Sequence, residues 1–388
     1  MLNAENILVT RIKIIVLSPY LPAVDTGACS RKIYDHINFL QKIGHFVYLL
    51  SFCSEEDKGR VNELKPYCKQ LHLEYIKDYA RYPNNPGFLK QKIDSLCKKE
   101  EIDILQCEKA YMARYIPGNI RIPTLLVEHE ILSISFSERA KLEKNLLNKF
   151  ILLLRKIKKR LEEKKWYKKF NKIIIFTEYD KDSIYKHYRI KDVEVIPLGV
   201  NLQQYSQQQK EEKPFDIIFV GNFSHLPNVD AAIYFCKNIF PLVKNQLPGA
   251  SVIFAGANPP ESIKKLAGLD KNIQVSGYIK DILGYYSKSR VFIAPIRFGT
   301  GMRFKILEAL AIGLPVVTTS IGARGLIQNE SIKVADREKE FADAVIQLLN
   351  NPNRCNSLAR NGRAFLEKNY NWDMLFGKYE KIYSELLN

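Results

Sequence analysis

The sequence predicts an α/β protein of two doubly wound, parallel-sheet domains facing each other across a cleft. Three observations carry this. Short apolar runs rich in β-branched residues alternate with amphipathic stretches, which is the rhythm of βαβ units in a helix-covered parallel sheet. That rhythm is interrupted by the polar run NLQQYSQQQKEEKP, Asn201 to Pro214, and then restarts. At 388 residues the chain can bury two cores.

The first half opens with IKIIVLS from Ile12, a helix over Arg31 to Ile43 stopped by Gly44, and HFVYLLSF. Strands are expected at Ile104 to Cys107, Thr124 to His129, Lys172 to Thr177 and Val193 to Leu198. The second half supplies strands at Phe215 to Gly221, Ala250 to Gly256, Asn272 to Gly277, Val291 to Ile296 and Pro315 to Ser320. The expected organisation is an N-terminal domain over 1–200, a linker over 201–214, a C-terminal domain over 215–370 and a closing helix over 371–388. Ligands of such sheets bind beyond the carboxyl ends of the strands.

Hydrophobic residues make up 46% and charged residues 26%, the composition of a globular rather than a disordered chain. No apolar run approaches the roughly 20 residues of a membrane span. The N-terminus lacks the basic start, apolar stretch and small-residue cleavage site of a secretory signal, so a cytoplasmic protein is expected. Seven widely spaced cysteines without a CxxC argue against both a disulfide framework and a zinc site.

The net charge of +17 points to a polyanion: nucleic acid, anionic lipid or a phosphorylated small molecule. It is concentrated. From Lys141 to Lys172, thirteen Lys and Arg stand against three Glu. Leu142, Leu146, Phe150, Leu153, Leu154, Ile157 and Leu161 recur there at helical spacing, which predicts one long amphipathic helix. One reading packs its stripe on the sheet and leaves a solvated charged face. The other docks it, peripherally, on an anionic membrane at the inner face of the cell membrane. No zinc finger, RNP motif or helix-turn-helix spacing accompanies it, so nucleic acid is not the expected partner.

The segment richest in chemistry is APIRFGTGMRFKILEALAIGLPVVTTSIGARGL, Ala294 to Leu326. A strand ends, a loop with Gly299 and Gly301 follows, a helix runs from about Met302 to Ile312, and Gly313 terminates it. Such a turn presents backbone N–H groups and the positive end of a helix dipole to an anion, with Arg303 and Lys305 adding full charges. This describes a phosphate or diphosphate site. Asp180 and Asp182 form a D-x-D after KIIIFTEY, where a helix start favours acids, and no metal is expected there.

These segments resemble the retaining glycosyltransferases of group 1, family 4, which have the GT-B architecture. The likeness runs through SPYLPAVDTGACSRKIYDHINFLQKIGHFVYLLS, FVGNFSHLPNVDAAIYFCKNIFPLV, ASVIFAGANPP, VSGYIKDILGYY and GMRFKILEALAIGLPVV to the closing NYNWDMLFGKYEKIY. The resemblance implies a last helix that crosses back to the N-terminal domain, and a donor that is a nucleotide-diphosphate sugar. It implies that Glu308 accepts hydrogen bonds from ribose hydroxyls, and that Thr300 stands where relatives carry a first glutamate. It implies that His129 lies beside the donor sugar, and that Gly27 and Arg31 belong to a glycine loop near the diphosphate.

Asn222 follows Gly221 where many relatives place an Arg, which moves the cation's duty to Arg303 and Lys305. Tyr278, Gly299, Gly301 and Met302 complete the expected donor-binding set, with His129, Thr300 and Arg303 as the catalytic one. The implied reaction needs no cofactor or metal: front-face transfer to a glycan or lipid-linked acceptor, in which the leaving diphosphate takes the acceptor's proton. The alternatives left by the sequence are a GT-B-fold UDP-sugar epimerase and a non-catalytic protein binding anionic lipid or nucleic acid.

Overall fold

A computed structural model describes residues 11–24, 28–77, 79, 87–205, 213–326 and 330–388. The first sheet comprises β1 (Lys13–Ser18), β2 (Phe46–Ser54), β3 (Gln70–Ile76), β4 (Ile104–Glu108), β5 (Thr124–Val127), β6 (Lys172–Ile175) and β7 (Val193–Val195). Its order is β3-β2-β1-β4-β5-β6-β7. The second comprises β8 (Phe215–Val220), β9 (Val252–Ala255), β10 (Ile273–Gly277), β11 (Ser289–Ala294), β12 (Val316–Thr318) and β13 (Ile332–Val334), in the order β10-β9-β8-β11-β12-β13. Neighbouring strands pair in parallel throughout both sheets. These are two doubly wound domains, as the alternation of runs predicts.

Helices α1 (Ala28–Lys42), α2 (Val61–Leu64), α3 (Gly87–Lys99), α4 (Leu132–Leu142), α5 (Leu146–Tyr167) and α6 (Glu178–Tyr188) accompany the first sheet. The second half carries α7 (Leu226–Tyr234), α8 (Phe240–Gln246), α9 (Glu261–Lys264), α10 (Ile282–Ser287), α11 (Phe304–Ile312), α12 (Glu338–Leu349), α13 (Pro352–Asn369) and α14 (Trp372–Leu387). Central strands read as unbroken apolar runs because helices cover both faces: Ile14 to Leu17 are fully buried. The expectation omitted β3 and β13. Both are edge strands; QLHLEYI is mostly half-buried and mixes polar with apolar residues, and IKV has three residues.

Local chemistry sets several boundaries. Asn145 accepts from the Asn148 amide to start α5, and Thr177 accepts from the Asp180 amide to start α6. Gly313, at φ +92°, ends α11 in the left-handed conformation. Helix α14 returns to the N-terminal domain. Phe376 stacks on Phe39 at 4.2 Å, the Tyr383 hydroxyl donates to Gln106 Oε1 at 2.6 Å, and His45 Nε2 meets Glu380 at 3.0 Å. The expected linker is not uniformly loose, for Tyr205 within it is buried.

The basic segment departs from its expected form. It is divided at 143–145, where Asn145 caps a new helix, so one helix over Lys141 to Lys172 is replaced by the end of α4 and the whole of α5. The apolar stripe of α5 does not pack on the sheet: Leu146, Phe150, Leu154, Ile157 and Leu161 are exposed.

Candidate active site

In both sheets the strand order reverses beside the first strand, between β1 and β4 and between β8 and β11. The crevices at these switch points are where doubly wound sheets bind ligands. Glu108 ends β4, Gly221 follows β8, and the Gly299–Gly301 loop follows β11. Helix α1 begins beside the first crevice and carries Cys29, Arg31 and Lys32.

His129 lies two residues beyond β5 and is buried. Its Nε2 is 2.7 Å from Glu108 Oε2, which also meets Lys32 Nζ at 3.1 Å. Nδ1 is left buried with no oxygen or nitrogen partner, and the Cys29 thiol lies beside the ring. Burial disfavours charge on all these groups. On His129 it is outweighed by Cys29 and Glu108, which raise the imidazole's pKa; on Glu108 it is outweighed by Lys32 and His129, which hold the carboxyl well below its usual range. Burial would push Cys29 up as well, but Lys109 and His129 bring that thiol down to about 6. Strand β5 ends at Val127, so strand alternation does not extend to Glu128, whose carboxylate accepts from the amides of Ala110 and His129.

The glycine loop is arranged differently from the expectation. Its amides do not stand open to a ligand: Gly299 N donates to Glu138 Oε2 at 2.9 Å, Thr300 N to Ser135 Oγ at 3.3 Å and Gly301 N to Asp180 Oδ2 at 3.0 Å. The anions that this positive turn attracts are the N-terminal domain's own carboxylates. Thr300 Oγ1 accepts from Ile131 N at 2.7 Å, again across the cleft. A Cβ at Gly301 would lie 2.4 Å from the His129 carbonyl oxygen, so glycine permits a close approach of the two domains there.

Arg303 is turned back onto this loop. Its Nη1 donates to Thr300 O at 2.6 Å and its Nη2 to Gly299 O at 2.8 Å, while the guanidinium is buried. It therefore holds the loop's shape in place of pointing a free cation at a diphosphate. Helix α11 starts at Phe304, and Met302 is a packed residue whose sulfur accepts from Leu198 N at 3.3 Å.

Glu308 is brought together with Arg31. Arg31 Nη1 is 3.7 Å from Glu308 Oε1, and the Tyr205 and Tyr286 hydroxyls donate to the same carboxylate at 3.2 and 3.5 Å. Burial raises the Glu308 pKa, opposed by Arg31. Arg31 also stands 5.3 Å over the Tyr205 ring and is hydrogen-bonded to Gln204.

Lys305 Nζ donates to Asn228 Oδ1 at 2.6 Å and sits 4.4 Å from the Phe219 ring centre. A Cβ on Gly221 would come within 2.8 Å of that ammonium, so the glycine opens the space above it. Burial brings Lys305 down to about 7, with Arg303 adding to the effect. Asn222 is exposed and its carbonyl accepts from Asn228 Nδ2 at 2.7 Å; Tyr278 is exposed just beyond β10. Gly27 lies outside the described residues.

The residues missed from the sequence are Glu108, Lys32, Glu138, Asp180 in its loop-binding role, Arg324, Tyr205 and Tyr286. Arg324 Nη1 meets Glu138 Oε1 at 2.8 Å and its guanidinium stacks 3.8 Å over Tyr179. Glu108 had a signal equal to that of His129, a charged residue closing an apolar strand in ILQCE. The others have none: Tyr286 lies 22 residues from Glu308 and Lys32 lies 76 from Glu108, while Tyr205 and Glu308 are separated by 103 and Glu138 and Arg324 by 186.

Two doubly wound domains with site residues at both switch points and a last helix crossing back define the GT-B architecture. Residues 30–204 match the family model described as Glycosyltransferase Family 4, and residues 214–351 that described as Glycosyl transferases group 1. The chain is a GT-B glycosyltransferase. It is similar, at 23% identity over 393 residues, to an uncharacterized 44.6 kDa protein in the cps region of Klebsiella pneumoniae, covering 95% of this chain and 99% of that one. A GDP-mannose-dependent alpha-(1-6)-phosphatidylinositol monomannoside mannosyltransferase of Mycobacterium tuberculosis is 29% identical over 154 residues, 36% of this chain and 40% of its own. Among solved structures, sucrose-phosphate synthase from Thermosynechococcus elongatus superposes with a TM-score of 0.77 at 16% identity, covering 97% and 99% of the two chains.

Proposed function

We propose that the protein transfers a sugar from a nucleotide-diphosphate donor to a hydroxyl of a glycan or lipid-linked acceptor, with retention at the anomeric carbon and without a metal ion. The observation that carries this is the placing of Glu308 and Lys305, on the C-terminal side of the cleft, opposite Arg31 and His129 on the N-terminal side. Glu308 would receive the ribose hydroxyls, exchanging its tyrosine partners for them. Lys305, beneath Gly221, would meet the diphosphate, and the negative ligand would favour its charged form. His129, oriented by Glu108, has Nδ1 to offer a sugar hydroxyl.

The carboxylates near His129 and the loop already have partners. Glu108 is held by Lys32 and His129, Glu138 by Arg324 and Gly299, Asp180 by Gly301, and Glu130 by Ser135 and His225. Except at the unpartnered Asp180 Oδ1, a double-displacement nucleophile would have to give up such a bond, whereas front-face attack requires none of them to react. The proton lost by the acceptor then goes to the leaving diphosphate oxygen, and the protein's part is to orient both reactants and neutralise the developing charge. The mycobacterial relative's GDP-mannose-dependent activity and the Klebsiella relative's place in a cps region support a nucleotide-sugar donor and cell-envelope glycan synthesis.

Slow hydrolysis of a panel of radiolabelled nucleotide-sugars tests the reading. Release of free sugar from one donor, with retained configuration in the transfer product, is expected. Conversion of a UDP-sugar to its epimer without acceptor, or no turnover of any donor, would overturn it.

A further inference from the structure

We propose that α5 docks the protein on an anionic bilayer, with the helix axis lying in the plane of the headgroups. At 100° per residue the exposed Leu146, Leu147, Phe150, Ile151, Leu153, Leu154, Ile157 and Leu161 fall within one arc of about 160°. Leu146 is 81%, Phe150 58% and Leu161 65% exposed. The buried Leu152, Glu163, Trp166 and Tyr167 occupy the opposite side of the helix. The inner face is pinned by polar contacts: Glu163 Oε1 accepts from Ser133 N at 3.2 Å, and its other oxygen accepts from the Tyr188 hydroxyl at 2.5 Å. The apolar arc is therefore the face turned away from the protein. In a globular domain an amphipathic helix turns that stripe inward, so this one needs a cover.

Charge identifies the cover. Lys149 and Arg160 flank one edge of the arc, and Arg155 and Lys158 the other. Lys164, Lys165 and Lys168 lie near its C-terminal end. Thirteen Lys and Arg against three Glu between residues 141 and 172 suit a surface that is apolar inside and negative at its boundary. A second copy of the same helix would set like charge against like, and a nucleic acid would leave the leucines in water. The helix spans about 33 Å at 1.5 Å per residue, enough to insert several side chains side by side.

The placement bears on the acceptor, a point that rests on the glycosyl-transfer reading. Helix α5 packs on α4, which presents Ser135 and Glu138 to the glycine loop. Packed helices lie about 8–10 Å apart, so docking brings that wall of the cleft within one helix of the headgroups, where a lipid-linked acceptor would arrive.

The test is sedimentation of the full chain with vesicles of phosphatidylcholine alone or with 30 mol % phosphatidylglycerol, with donor hydrolysis in solution measured in parallel. The wild type should partition to the anionic vesicles and be released by high salt. Two variants should lose this, one with Lys149, Arg155, Lys158 and Lys164 all replaced by Gln, the other with Phe150, Leu154 and Leu161 replaced by Ser. At about 1 kcal/mol per cation, each Gln exchange lowers the partition coefficient about fivefold. Both variants should hydrolyse donor as the wild type does, so loss of docking is read separately from loss of chemistry. The proposal is overturned if the wild type ignores anionic vesicles at low salt. It is equally overturned if light scattering shows a dimer that the Ser variant dissolves, or if the wild type binds duplex nucleic acid in preference to vesicles.

Discussion

Replacing Gly301 with Ala tests whether the close approach of the two domains matters to chemistry. The residue has φ +77°, and the added Cβ would meet the His129 carbonyl oxygen at 2.4 Å. Left-handed backbone costs an L-residue about 1–2 kcal/mol. Reaching an ordinary separation of about 3.4 Å requires the loop or the carbonyl to retreat by about 1 Å. A shift of that size in a positioned group is enough to cost about 100-fold in rate. Gly313→Ala is the control, because its φ of +92° imposes a similar backbone strain while its Cβ would meet Ala359 Cβ at an ordinary 3.5 Å. Both variants should melt a few degrees below the wild type, at roughly 2–4 °C per kcal/mol for a domain of this size. Only Gly301→Ala should lose about 100-fold in kcat/KM, measured by transfer or donor hydrolysis. If it keeps wild-type kcat/KM, or if Gly313→Ala falls equally, the contact between Gly301 and His129 has no part in catalysis.

Glu308→Gln removes the carboxylate charge and should weaken nucleotide binding by about 1.5–3 kcal/mol for each charge-assisted bond lost; unchanged affinity by calorimetry would remove Glu308 from the site. Lys305, brought down to about 7 by burial, is largely neutral at pH 8, so binding a nucleoside diphosphate there should draw in a proton and weaken as pH rises above 7. Calorimetry in buffers of different ionisation enthalpy measures this, and Lys305→Met should abolish the uptake. Cys29, with its thiol lowered to about 6, should be alkylated by iodoacetamide with a rate that rises through pH 6, whereas Cys53, Cys68 and Cys236, pushed up to about 11, 12 and 12, stay slow. A Cys29 rate still rising above pH 8 would refute the influence of Lys109 and His129. Activity should survive excess chelator; loss restored by magnesium or manganese would refute metal independence.

The fold was legible because its information is local. A strand covered on both faces must be apolar at every position, so KIIVLS, TLLV and KIII announce themselves without knowledge of their neighbours. Edge strands escape this rule: β3 faces partial solvent, and its QLHLEYI lacks the unbroken apolar run. Helix stops at Gly44 and Gly313 were equally readable, since both adopt positive φ. The break at 143–145 was not, because the apolar spacing continues across it and Asn145 as a cap is a weak signal against seven periodic apolar residues, five of them leucines.

The site divides along the same line. His129 and the glycine loop could be placed because each follows the end of a recognisable strand, and Glu308 because it lies on the helix after that loop. What they touch could not, because the partners come from other elements: Glu108 from the neighbouring strand, Tyr286 from α10, and Arg31, Glu138 and Asp180 from the other half of the chain. Arg303 shows the consequence. As a charged residue after a glycine turn it reads as a ligand for phosphate, yet three loop carbonyls lie within reach of its guanidinium and bind it. The loop amides likewise read as an open anion site, and it is Glu138 and Asp180, carboxylates from across the cleft, that answer them. A diphosphate that used those amides would have to displace both carboxylates, so donor binding there and domain separation would be one event. Lys305 imposes no such condition. It donates to a neutral Asn228 within its own domain, and it can meet an anion while the contacts around Gly301 stay in place.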